Sequence, residues 1–244
     1  MGTRNLTMLI HGGETKIAQY GQWDGYPSGQ GITVLKFLKR LEKPTVNKRF
    51  MAKLKRLKFI DDEKQKEINA FLKRIGAEDG WMNMDQADLY HKEYPLLTRD
   101  NGAEILRLVY GQKGRDTIWV SDDSEFMTDG LFNEWSYIID LDKRVLEVYK
   151  GFSKVMPPKE SRFYQMIVDS ELELQKAVED WDKKATLMTD KGVSMEAVNK
   201  AIGRRPYIRE EPYYTALVHS FNIDNLPTEE EFIEICTPKD EDEE

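Results

Sequence analysis

The sequence predicts an α+β fold, a small antiparallel sheet of hairpins packed with several amphipathic helices. Two hairpin signatures, over residues 4–20 and 134–149, supply the sheet. Between them, apolar residues recur at i, i+3, i+4 and i+7 in successive stretches, which supplies the helices. With 244 residues, 40% of them hydrophobic and 11% aromatic, the chain can bury a substantial core. One domain over residues 1–237 is expected, with a helical insertion over about 32–110, followed by an acidic, disordered tail over 238–244.

The elements follow in chain order. Residues 4–10 alternate weakly and are rich in Leu, Thr and Ile, and His11-Gly12-Gly13-Glu14 is a hairpin turn that returns a second strand over 15–20. Val34, Phe37, Leu38 and Leu41 mark an amphipathic helix that Lys43-Pro44 ends. Residues 47–58 read as a second helix with Phe50, Leu54 and Leu57 on one side. Asp61 caps a third, in which Ile68, Phe71, Leu72 and Ile75 repeat the spacing and Gly76 stops it. A short helix fits residues 85–91, before Pro95, and a buried helical stripe fits 103–110. Residues 117–121 form a short strand, and 134–140 with 144–149 form the clearest hairpin in the chain. Residues 163–168 are expected as a strand, 170–184 as a helix, and 195–202 as a short helix capped by Ser194. Residues 213–221 alternate as a last strand, and Leu226-Pro227-Thr228 opens a short helix whose first acids suit the N-terminal dipole.

Between the first hairpin and the first helix lies Ala18-Gln19-Tyr20-Gly21-Gln22-Trp23-Asp24-Gly25-Tyr26-Pro27-Ser28-Gly29-Gln30-Gly31. Its glycines demand tight turns, its aromatics offer flat faces with polar tips, and its polar side chains offer donors and acceptors. A glycine-rich loop opening a helix also presents free amides that favour anions. Two readings follow: turn chemistry with core aromatics, or a pocket. The pocket reading names Arg4, Gln19, Gln22, Trp23, Asp24, Tyr26 and Ser28 as ligand-binding, with a base stacked on the aromatics and a phosphate on Arg4 or the loop–helix junction. The stretch is neither a phosphate-binding Gly-Lys-Ser/Thr loop nor a dinucleotide fingerprint.

The opening Met1-Gly2-Thr3-Arg4-Asn5-Leu6-Thr7, together with this loop, resembles a family of uncharacterised bacterial and phage proteins, with fungal proteins as distant relatives. The resemblance continues into residues 135–142 and 226–228. It implies no catalytic residues. It does imply a phage or bacterial accessory protein that acts by binding, as an inhibitor of a host or defence factor.

Charge suggests where such a partner sits. From Lys36 to Lys58 the chain carries ten basic residues against one acid, Glu42, although the whole chain is −8. Lys48, Arg49, Lys53, Lys55 and Arg56 are the candidate partner-binding residues, and the alternative is a solvated face paired with the acidic remainder. Nucleic acid is the less favoured partner, because such binders are more often basic overall. The lone Cys236 and the absence of a signal-like or ~20-residue apolar run point to the cytoplasm and to no membrane partner.

Catalysis has weaker markers. His11, His91 and His219 have no metal-ligand spacing, and acidic neighbours of Cys236 argue against a nucleophile. The carboxylates of Asp122-Asp123-Ser124-Glu125 suit a hard cation, but one acidic turn without an EF-hand pattern assigns no metal, and no cofactor is expected. The hydrolase alternative is an N-terminal-nucleophile layout in which Thr3 is exposed by loss of Met1 and Gly2.

Overall fold

A computed structural model describes residues 2–77 and 81–237. Strands β1 (Asn5–His11) and β2 (Glu14–Gly21) form the N-terminal hairpin, turned by Gly12 and Gly13 at φ of 67° and 74°. Both residues of that turn need positive φ, which glycine adopts without a Cβ penalty. Asp142 clamps the turn from outside by accepting the amides of Gly12 and Gly13 at 2.9 and 2.8 Å. These two hydrogen bonds are the main reason its carboxyl titrates below the usual range.

Helices α1 (Ile32–Leu41), α2 (Pro44–Leu54) and α3 (Asp62–Arg74) follow, as the periodicity predicts. The second helix stops earlier than expected. Leu57–Phe59 becomes strand β3, paired in parallel with β4 (Ile118–Val120). That pairing buries Leu57, and a helical pattern alone cannot reveal a strand partner so far along the chain. Asp61 caps α3 by accepting the Lys64 amide. Helices α4 (Met84–Glu93) and α5 (Glu104–Gly111) complete the helix-rich segment.

Strands β5 (Trp135–Asp140) and β6 (Val145–Ser153) form the second hairpin. Residues 163–168 are not a strand: they open α6 (Tyr164–Thr189), a 26-residue helix. The apolar spacing of the expected strand simply continues the helical stripe, since Phe163, Ile167 and Val178 are all buried. Then come α7 (Met195–Ile202), β7 (Tyr214–Asn222) and α8 (Glu229–Cys236), each helix capped by the expected Ser194 or Thr228. The expected tail over 238–244 lies outside the described residues. Among those residues no helix is long and apolar enough to cross a membrane.

The α+β class holds, and the main sheet runs β2-β1-β5-β6-β7. It is mostly antiparallel, but β1 and β5 lie parallel, Asn5 opposite Trp135 through Ile10 opposite Asp140. Helices cover both faces. On one face Leu9, Ile17, Tyr137, Ile139 and Leu146 meet α1, α2, α5 and α8. On the other Leu6, Met8, Ala18 and Ile138 meet Met127, Phe163 and Ile167. A sheet covered twice explains why all six residues of β5 are buried.

Beneath the second face lies an ion cluster. The Arg162 guanidinium reaches Asp140 at 2.7 Å and Glu147 at 2.8 and 3.1 Å. Burial alone would raise the Asp140 carboxyl; the Lys143 amide and Arg162 outweigh it and hold the carboxyl low.

Candidate functional site

Strand periodicity decides where the predicted residues go. Successive side chains of a strand point to opposite faces. Arg4 and Tyr20 therefore share the face of Leu6 and Ala18, while Asn5 and Gln19 share the face of Leu9 and Ile17. The predicted pocket set is split by the sheet.

Gln19 is fully buried and ties strands to loops. Its Nε2 donates to the carbonyls of Tyr20, Thr98 and Arg99. The 22–31 loop continues from there onto the α1 side. Asn5 Nδ2 holds the carbonyls of Gly21 and Trp23, the Tyr137 hydroxyl donates to the Gly25 carbonyl at 2.7 Å, and Gly25 N donates to Thr3 O at 2.9 Å. Residues Pro27–Gly31 form one turn of π-helix before α1. At this junction, where the sequence suggests free amides for an anion, part of the backbone is turned onto the loop itself. Gly29 and Gly31 donate to the Tyr26 carbonyl and Gln30 to that of Asp24, so these three amides are already used. Three tight approaches explain this loop's glycines: a Cβ on Gly25 would lie 2.6 Å from Thr3 O, one on Gly29 2.2 Å from Asp24 O, and one on Gly31 2.8 Å from the Phe232 ring.

The loop's outer surface is open. Trp23 and Tyr26 are 56% and 43% exposed. Asp24, at φ 54°, accepts the Tyr26 hydroxyl at 3.0 Å, and the Ser28 side chain is exposed and makes no hydrogen bond among the described residues. The Thr3 hydroxyl likewise has no hydrogen-bond partner among the described residues.

The concave site lies on the opposite face, at the end of the β1–β2 hairpin. It is a cleft of 640 Å³ lined by Arg4, Tyr20, Arg99, Asp122, Asp123, Glu125, Phe126, Asp129 and Phe132. Of the predicted ligand residues Arg4 alone lines it. Gln22 touches it indirectly, by accepting the hydroxyl of Tyr20. The acidic turn is clipped to the edge of β2: Asp123 N donates to Ala18 O at 3.0 Å, and Tyr20 N donates to Asp123 Oδ2 at 2.8 Å. Burial, opposed by the Tyr20 amide and assisted by neighbouring Asp122, raises the Asp123 carboxyl above its ordinary value.

Three guanidinium groups border the cleft on aromatic faces. Arg99 lies 4.7 Å over Tyr20, Arg4 4.4 Å over Phe132, and Arg209 5.4 Å over Phe132. Two of them have an acid close by, Arg4 beside Glu134 at 3.6 Å and Arg209 beside Asp129 at 3.7 Å. Asp122, Asp123 and Glu125 form no ion pair within 4 Å among the described residues, and Arg99 contributes only a longer-range attraction to Asp123. Arg99, Phe126 and Phe132 carry no local motif, so nothing in the sequence singles them out. The acidic turn was visible as chemistry without a partner.

The basic segment is partly turned inward. Arg40 and Arg49, both exposed, each lie 4.8 Å over the Tyr110 ring. Lys53 donates to Gln112 O and Arg56 to Asp116 O. Burial and the neighbouring Arg56 and Arg49 lower the Lys53 ammonium. Lys48 and Lys55, like Arg49, are exposed. Cys236 is fully buried, and it is burial that pushes its thiol up to about 12.

No protein-family model, curated protein or solved structure matches this chain.

Proposed function

We propose that the protein acts by binding, and that its ligand is a small organic cation with a flat portion, held in the cleft between Tyr20, Asp123 and Phe132. One observation carries this reading. Three carboxylates without an ion-pair partner, one of them desolvated and crowded by its neighbour, converge with aromatic faces in a cleft of 640 Å³. Such a volume lies within the range of small-molecule sites, and a titration displaced in a cleft marks a functional candidate. Aromatic faces attract delocalised cations, and this cleft's own arginines already use them that way. The same charge balance disfavours the nucleotide reading, since a phosphate would face Asp122, Asp123 and Glu125. The inhibitor reading with a host partner at the basic helices has less support, because Arg49, Lys53 and Arg56 are engaged by Tyr110, Gln112 and Asp116.

The test uses benzylamine, which joins a ring to an ammonium, and benzoate as its charge-reversed counterpart. Calorimetry or ligand-observed NMR should show benzylamine binding, benzoate not binding, and Asp123→Asn weakening benzylamine at least tenfold. Equal binding of the two probes, or an unchanged Asp123→Asn affinity, would remove the proposal.

A further inference from the structure

Beside the cleft lies a second cavity of 630 Å³, between the first half of α6 and the segment that leads into β7. Its character differs. Ile167 and Leu174 come from α6, and Tyr207, Ile208, Pro212 and Tyr213 from the segment before β7. Leu174, Tyr207 and Ile208 remain 37%, 74% and 44% exposed, a large apolar area to leave uncovered. Its polar edge is self-satisfied: the Tyr214 hydroxyl donates to Glu171 at 2.9 Å.

The two cavities share a wall. Asp129 lines both. Arg209 lines the apolar one, yet its guanidinium lies over Phe132 of the polar one. The contact between Arg209 and Asp129 is long, 3.7 Å, with both side chains about one-third exposed. Ion pairs of that kind hold weakly and part readily. A bound cation seated among the carboxylates would compete with Arg209 for Asp129 and so loosen the wall at the moment the site fills.

We infer that the apolar cavity is the second half of one site, taking an apolar extension of the same ligand, which makes that ligand an amphiphile with a cationic head and a hydrocarbon or aromatic tail. This rests on the cleft being the head site, as proposed above. Charge assigns the ends: the head belongs with Asp122, Asp123 and Glu125, and the tail with Leu174 and Ile208.

A series of 4-alkylbenzylamines from methyl to hexyl separates the two claims. In the wild type, affinity should rise about fourfold per methylene as the chain enters the apolar cavity. Leu174→Gln and Ile208→Asn change partly exposed side chains without adding charge beside the carboxylates. Each should flatten the length dependence and leave benzylamine itself bound as in the wild type. Benzylamine binding with no gain along the series, or a gain that survives both substitutions, overturns the joined site and leaves the head site standing. Failure of every member to bind, benzylamine included, overturns both.

Discussion

Replacing Arg162 by Met removes the positive centre of the ion cluster under the sheet and keeps most of its apolar stem. In the wild type that guanidinium makes one contact to Asp140 and two to Glu147, and the three side chains are only 3–16% exposed. Removing it leaves two carboxylates facing each other away from water. Leaving buried charges without their partner costs about 3–5 kcal/mol, whereas an exposed pair is worth below about 1 kcal/mol. The loss should depend on pH. Asp140 has its folded-state pKa depressed, so its contribution is present above the unfolded value of about 3.9 and fades as pH falls through the folded value. In the variant, Asp140 can take a proton and relieve the repulsion. Urea unfolding at pH 7 should therefore show the full deficit, and at pH 4 a much smaller one. A deficit below about 1 kcal/mol at pH 7, or an equal deficit at both pH values, would refute the electrostatic account and assign the effect to packing of the arginine stem.

Four further outcomes follow from the site. Tyr137→Phe deletes the buried hydrogen bond to the Gly25 carbonyl and should cost about 1–3 kcal/mol in urea unfolding, with faster hydrogen exchange at the amides of the 22–31 loop. Gly29→Ala forces a methyl to within 2.2 Å of Asp24 O, so the loop must shift; a loss of about 1–3 kcal/mol is expected, and full stability would show that the loop yields freely. Trp23→Ala should leave benzylamine affinity within twofold, because the 22–31 loop lies across the sheet from the cleft; a tenfold loss would bring the loop back into the site. Benzylamine affinity should fall as pH drops from 7 into the carboxylate range, and sooner than for an ordinary aspartate, since burial raises Asp123; a flat profile down to pH 4 would show that Asp123 does not hold the ammonium.

Local chemistry was readable where it acts locally. Glycines at 12 and 13, the caps at Asp61, Ser194 and Thr228, and the stripe of Phe37, Leu38 and Leu41 each specify an element through neighbours in sequence. What escaped was set at long range. Leu57 fits a helical stripe until Ile118 pairs with it, and the parallel register of β1 with β5 leaves no mark within either strand. The site shows the same division. The sequence drew Gln19 and Trp23 together because they are close along the chain, and Arg4 with them because the hairpin returns to it; the alternation of the strands then sent Arg4 and Gln19 to different sides. Arg99 and Phe132 reach the cleft through loops whose own composition says nothing about where they end.

The parallel register has a consequence for synthesis. β1 lies between β2, which follows at once, and β5, which begins only at Trp135. A two-stranded hairpin alone is marginal in water. At roughly 5–20 residues per second, its second neighbour is delivered on the order of ten seconds after the hairpin emerges. Closing a loop of that length also costs roughly 4 kcal/mol of chain entropy before any contact repays it. Leu6 and Met8, whose cover from Ile138, Phe163 and Ile167 arrives no earlier, stay exposed for that interval, on a nascent chain whose hairpin can already pair with a foreign edge. The cleft, which needs both the hairpin and Phe132, comes into existence only as the middle of the chain leaves the ribosome.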